Sequence, residues 1–139
     1  MNRLSKSRQI GNKHYALGIG FSRSKRAGNV VATVKEIMNQ NKIAKLRTIA
    51  TIVSLGNELF LKELAQALSA QIRLFTAEEL EKETPKLTNP SEYIYSLVGC
   101  HGVCEAAALA AIGSDATLLV TKIRNPPYTF AIAVSEGNQ

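Results

Sequence analysis

No apolar run in this chain approaches the roughly 20 residues that a transmembrane helix needs. The longest, such as Ala106–Ile112, are cut short by Gly113 and Asp115. Cysteine is equally scarce. The two present, Cys100 and Cys104, sit in one short segment and cannot staple distant parts of a fold. That excludes a disulfide framework and, with no apolar signal core at the N-terminus, predicts a cytoplasmic location. Aromatic residues make up only 6% of the chain and no base-stacking motif occurs, so an RNA-binding reading rests on charge alone. A G-x-x-x-x-G-K-[ST] phosphate loop is absent, and the third glycine of a G-x-G-x-x-G after Gly18-Ile19-Gly20 falls on Arg23. No cofactor is expected.

Acidic residues are missing from the whole first quarter. Every charge before Glu36 is positive, from Arg3, Lys6, Arg8 and Lys13 through Arg23, Lys25, Arg26 and Lys35, and the net charge is +6. Such a region attracts nucleic acid, anionic lipid or a multiply anionic small molecule, and charge alone does not choose among them. An acid-free start carrying Arg and Ser also has the composition of a mitochondrial transit peptide. A strand that begins near His14 leaves too little for removal.

What is present is one domain's worth of core-forming sequence in 139 residues. Residues 1–13 read as a basic flexible tail and 14–136 as the folded domain. Tyr15–Phe21 has the composition of a strand, and Val30, Val34, Ile37 and Met38 recur at helical spacing within Ala27–Gln40. Arg47–Leu55 and Gln71–Phe75 read as further strands, with Leu61, Leu64, Ala65 and Leu68 forming a helical face between them. Thr76 with Glu79 is a capping-box signature. Asn89-Pro90-Ser91-Glu92 predicts another helix, with Asn89 as its cap and Pro90 at its first position. Val103–Ile112 has the small side chains of a helix packed tightly on a sheet. Ala116–Lys122 and Tyr128–Val134 read as strands joined through Arg124–Pro127. Alternating strands and helices predict an α/β fold: a single three-layer domain with a mixed, mainly parallel sheet of about five strands and a C-terminal β-hairpin.

Several residues invite a chemical role. Cys100, His101 and Cys104 supply at most three metal ligands and no second cluster closes a structural site, so no metal is assigned. A cysteine at a helix start would have its thiolate favoured by the dipole, but no base can be paired with it from the sequence. Glu105 lies three residues after Gly102, where it either caps the helix start or meets a ligand. Lys122 and Arg124 end one predicted strand, and Arg23, Lys25 and Arg26 follow another. If those strands are parallel, both basic groups share the carboxyl edge of the sheet with the start of the helix after Gly102, where open α/β sheets bind ligands.

Three segments together carry a resemblance: LGIG at 17–20, LFTAEEL at 74–80, and NPSEYIYSLVGCHGVCEAAALAA at 89–111 followed by LLVTKIRNPPYTFAIAV at 118–134. With them the chain resembles the CobE/CbiG C-terminal-domain family of cobalamin (vitamin B12) biosynthesis, over about Tyr15 to Val134. Its length suits a stand-alone CobE-type protein. In that family Cys-Arg commonly stands where this chain has Phe21 and Ser22, and a capping Ser or similar residue where it has Gly102. The resemblance implies a role in porphyrin and tetrapyrrole metabolism, with a precorrin or corrin intermediate and other cobalamin-pathway enzymes as partners. Gly18, Gly20, Arg23, Gly99 and Val103 match the family's pattern and are candidate ligand contacts, joined by His101, Gly102 and Arg124 at the predicted edge. The larger CbiG proteins are associated with cobalt-precorrin-5A hydrolysis, in which a lactone opens and acetaldehyde leaves. If this chain is an enzyme, the resemblance makes it a hydrolase of a precorrin lactone, with Glu105 and Lys122 as candidate catalytic groups. The expected order is therefore binding or processing of a precorrin polycarboxylate, then lactone hydrolysis, then RNA binding. No membrane association is expected.

Overall fold

A computed structural model describes residues 13–22 and 28–135. The basic tail apart from Lys13, and Arg23, Lys25 and Arg26 of the cationic loop, lie outside those residues. Alternation along the first strand, β1 (Tyr15–Phe21), sends Leu17 and Ile19 into one apolar layer and turns Gly18 to the opposite face of the sheet. The first layer is closed by α1 (Val30–Gln40) and α2 (Leu59–Leu68), whose Val34, Ile37, Leu61 and Leu64 meet Leu17, Ile49 and Ile132. Each fully buried aliphatic side chain there contributes about 2 kcal/mol. Asn29 sets where α1 begins: its side chain accepts from the Ala32 N–H at 3.0 Å. The helix therefore starts at Val30, three residues later than the sequence pattern suggests.

The second strand, β2 (Thr48–Ile52), is shorter than the β-branched run predicts, because Val53–Leu55 coils into a single 3-10 turn. β3 (Gln71–Phe75) falls where expected. The capping box at the start of α3 (Ala77–Glu81) is formed in both directions between Thr76 and Glu79. In α4 (Glu92–Val98) the cap is Ser91, not Asn89: its hydroxyl accepts from the Ile94 N–H at 3.1 Å, and its own N–H donates to the His101 carbonyl at 2.9 Å.

The other face of the sheet is covered by α5 (Cys104–Ile112), buried without interruption from Cys104 to Leu109. A helix apolar on every side belongs inside a fold. Its alanines let it lie close enough to β1 that a methyl group built on Gly18 would sit 1.8 Å from the Cys104 carbonyl oxygen. Glycine is the side chain this helix–strand contact permits.

The chain then makes the hairpin β4 (Ala116–Asn125) and β5 (Tyr128–Ser135). Strand order is β3-β2-β1-β5-β4, with β1, β2 and β3 mutually parallel and β5 antiparallel to both its neighbours. The sheet is thus mixed and five-stranded, with helices on both faces, as the sequence predicts. β4 outruns its predicted end, so Arg124 pairs with Thr129 inside the ladder and the turn is reduced to Pro126-Pro127. Two register shifts interrupt β4, one between Leu118 and Val120 and one between Val120 and Ile123. In the second, two residues of β4 face one of β5, which is a β-bulge. Among the described residues no helix is long and apolar enough to cross a membrane.

Candidate functional site

Because β4 runs parallel to β1, the carboxyl ends of β1 and β2 and the second bulge of β4 lie along one edge of the sheet. That edge opens into a cleft of about 320 Å³. Its floor is Gly20 and Phe21 from β1 with Ile52 and Leu55 from the end of β2. Phe21 is held from beneath by Phe60 and Tyr128, with ring centroids 4.7 and 5.3 Å away. A methyl on Gly20 would approach the Thr129 hydroxyl to 2.5 Å, so the glycine keeps the floor open beside Thr129. One wall is α4, which offers Tyr93, Ile94, Leu97 and Val98. None of its residues is buried; Tyr93 is 70% exposed and Leu97 60%. The facing wall is the start of α5, from Gly102 to Glu105, with Lys122 of β4 beside it.

Glu105 is the charged group on which that second wall converges. It is only 4% exposed, yet three donors reach it. The Thr88 N–H donates to Oε1 at 2.9 Å, the Thr88 hydroxyl to Oε2 at 2.7 Å, and the Lys122 N–H to Oε2 at 2.8 Å. A buried carboxylate is costly unless its oxygens are satisfied, and here fixed donors satisfy them. Glu105 therefore does not cap the helix that follows Gly102. The N-cap position is Val103, whose side chain makes no capping bond to the first turn. Lys122 itself forms no ion pair with a described residue, so its ammonium is available to the cleft.

His101, expected at the ligand, is instead a packing knot behind α4. Its Nδ1 lies 2.8 and 3.0 Å from the two oxygens of Glu81, its Nε2 lies 3.2 Å from Glu92, and its ring stacks on Tyr95 at 4.5 Å. Only the protonated ring can donate from both nitrogens. The bond to Glu81 raises the His101 pKa, against the opposing effect of burial. Burial would push Glu81 upward, but the side-chain and backbone donors of His101 outweigh it and hold that carboxyl below its ordinary range. A raised folded-state value means that the stabilisation is complete below the ordinary histidine pKa of about 6.5 and fades as pH rises through the folded value. His101→Gln should accordingly lower thermal stability more at about pH 5.5 than at about pH 9. Equal losses at both pH values in melting curves would show that the ring's charge takes no part.

Both cysteines are free and buried. Cys104 stands at the first position of α5, where a helix dipole favours a thiolate, but burial dominates and pushes its thiol up to about 11. That environment suits a packed thiol, not a nucleophile. Among the described residues no group of three His, Cys, Asp or Glu side chains is arranged to hold a metal.

Of the residues the sequence singles out, the structure brings Gly20, Gly102, Val103, Glu105 and Lys122 together around one cleft. Gly18 packs under α5 and Gly99 closes α4 with φ of 88°; neither lines the cleft, and neither do His101 and Arg124. Arg23 lies outside the described residues. Sequence reasoning missed the α4 wall, although Tyr93, Ile94, Leu97 and Val98 have the spacing of one helical face. It also missed Thr88, whose position in a charged connector carries no motif.

A sequence profile described as Cobalamin synthesis G C-terminus matches residues 15–133. The chain belongs to this family. Protein CobE of Sinorhizobium sp is 34% identical over 119 residues, which are 84% of this chain and 77% of that protein. A crystal structure of CobE, described as a protein from the cobalamin (vitamin B12) biosynthetic pathway, superposes with a TM-score of 0.80 at 27% identity, covering 91% of this chain and 94% of that one. Cobalamin biosynthesis protein chiG from Agrobacterium tumefaciens str. C58 gives 0.68 at 26%, covering 88% and 99%. The chain is thus a cobalamin biosynthesis protein of the CobE/CbiG family, and the family and fold expected from the sequence are both met.

Proposed function

We propose that the cleft binds the edge of a precorrin or corrin polycarboxylate. The observation that carries this reading is Lys122, unpaired with any described carboxylate, at the mouth of a mainly apolar cleft beside the start of α5. A tetrapyrrole intermediate is an apolar macrocycle fringed with acetate and propionate chains. One such carboxylate meets Lys122 and the first-turn N–H groups of α5, while the ring lies on Leu55, Leu97 and Tyr93. The cleft is at the small end of ligand sites, so it grips one edge of the macrocycle and leaves the rest outside. Family membership supports the choice of ligand class.

The lactone-hydrolase alternative asks Glu105 to move protons, and no observation favours it: both oxygens of that carboxylate are taken by fixed donors. Titrating the full chain with cobyrinic acid at low salt, and following the visible absorption band, tests the binding reading. Lys122→Met is expected to weaken binding roughly two- to fivefold, the worth of one solvent-accessible ionic contact. A wild-type titration without any spectral change removes the proposal.

A further inference from the structure

Three segments meet at the second wall of the cleft without touching one another through the sheet ladder: the connector that supplies Leu87 and Asn89, the first turn of α5, and the bulge of β4 that carries Lys122. A single carboxylate joins them. In the bulge between Val120 and Ile123, Lys122 has no register partner on β5, and its N–H goes to Glu105 Oε2 at 2.8 Å. The same oxygen accepts the Thr88 hydroxyl at 2.7 Å, and the other oxygen accepts the Thr88 N–H at 2.9 Å.

We propose that Thr88 is a positioning residue for Lys122: with both its donors it locks the Glu105 carboxylate in the one pose from which that group can hold the bulged strand and aim the lysine into the cleft. Thr88 does not line the cleft, so it acts on a ligand only through this relay. Two bonds from one residue fix both oxygens, which leaves the carboxylate no freedom to rotate about its last bond. Without the hydroxyl, Oε1 keeps the Thr88 N–H, but Oε2 is held by the Lys122 N–H alone. The strand and the carboxylate can then shift together. The bulge supplies the reason such a lock is needed, since an extra strand residue leaves the ladder locally disrupted. Its effect on affinity rests on the reading of the cleft as an anion-binding corrin site; its effect on the strand does not.

Two measurements on the full chain test it. The first needs no ligand. In Thr88→Val, amide exchange at Lys122 should quicken on the order of fivefold, while the amides of Phe130 and Ile132 in β5 keep their wild-type rates; Thr88→Ser should restore the protection. The second is a double-mutant cycle read with cobyrinic acid. Thr88→Val should weaken binding roughly fivefold in the wild-type background and less than about twofold when Lys122 is already Met, because a relay through Lys122 has nothing left to act on. Unchanged exchange at Lys122 overturns the proposal, and so does an equal acceleration at every core amide, which marks a general loss of stability. Equal losses of affinity in both backgrounds overturn it as well. If the wild-type chain binds no cobyrinic acid, the corrin reading fails while the exchange measurement still decides the role of Thr88.

Discussion

Gly18→Ala should abolish or severely impair folding, at a cost of roughly 3 kcal/mol or more from a single methyl group. The added carbon would lie 1.8 Å from the Cys104 carbonyl oxygen and 2.7 Å from the Ala108 nitrogen. Both are backbone atoms of α5, so no side chain can swing aside to make room. Relief requires lifting the helix from the sheet, and that breaks the layer in which Ala108, Leu109 and Ala133 are buried. The contact also sets the height of the helix start, so any folded fraction should carry a displaced second wall. Gly28→Ala is the matched control: a methyl there meets no described residue within 4 Å. Urea unfolding of the two variants checks the contrast. Wild-type stability of Gly18→Ala would overturn the close contact between β1 and α5.

The second large effect belongs to Glu105. Removing its side chain in Glu105→Ala leaves the Lys122 N–H without its acceptor in a part-buried wall, and the substitution should cost about 3 kcal/mol. Glu105→Gln is the more informative variant. Its shape is the same, but three donors now face a group that has only one oxygen and a donating NH2, so one of them is opposed. The expected loss is about 2 kcal/mol by chemical denaturation. A group held in place for proton transfer predicts another outcome, because active-site residues are often stabilised by neutral replacements. Glu105→Gln with unaltered or raised stability would therefore return the carboxylate to the list of candidate catalytic groups.

Much of the fold was readable in the chain because local chemistry and tertiary packing agree there. QIRLF forms a strand with the bounds its β-type residues suggest, and Thr76 and Glu79 close their capping box using only neighbours three positions apart. The alanine run of α5 reads as a tightly packed helix because only such a packing explains it. Legibility fails where the deciding partner is distant in sequence. Asn89 and Ser91 are both good caps; the His101 carbonyl, reached only after α4 has turned back, orients Ser91. His101 has no visible structural partner within its glycine-rich turn, yet Glu81, 20 positions earlier, holds its ring. Glu105 and Lys122 line one cleft, but the bonding of the carboxylate depends on Thr88, 17 residues away, and on a strand bulge. An alternating pattern such as LLVTKIR does not announce a bulge, since the pattern is judged against an ideal two-residue period.

Those irregularities in β4 also bear on how the molecule behaves among its own copies. β4 is an outer strand ten residues long with a half-exposed Leu119, which in a flat sheet would be a ready template for another chain's strand. Two extra residues in its ladder bend it and throw its outward N–H and C=O groups out of step. A second copy could pair with only a few residues before meeting a mismatch. The distortion at Lys122 thereby also disfavours strand pairing by another copy along this outer strand.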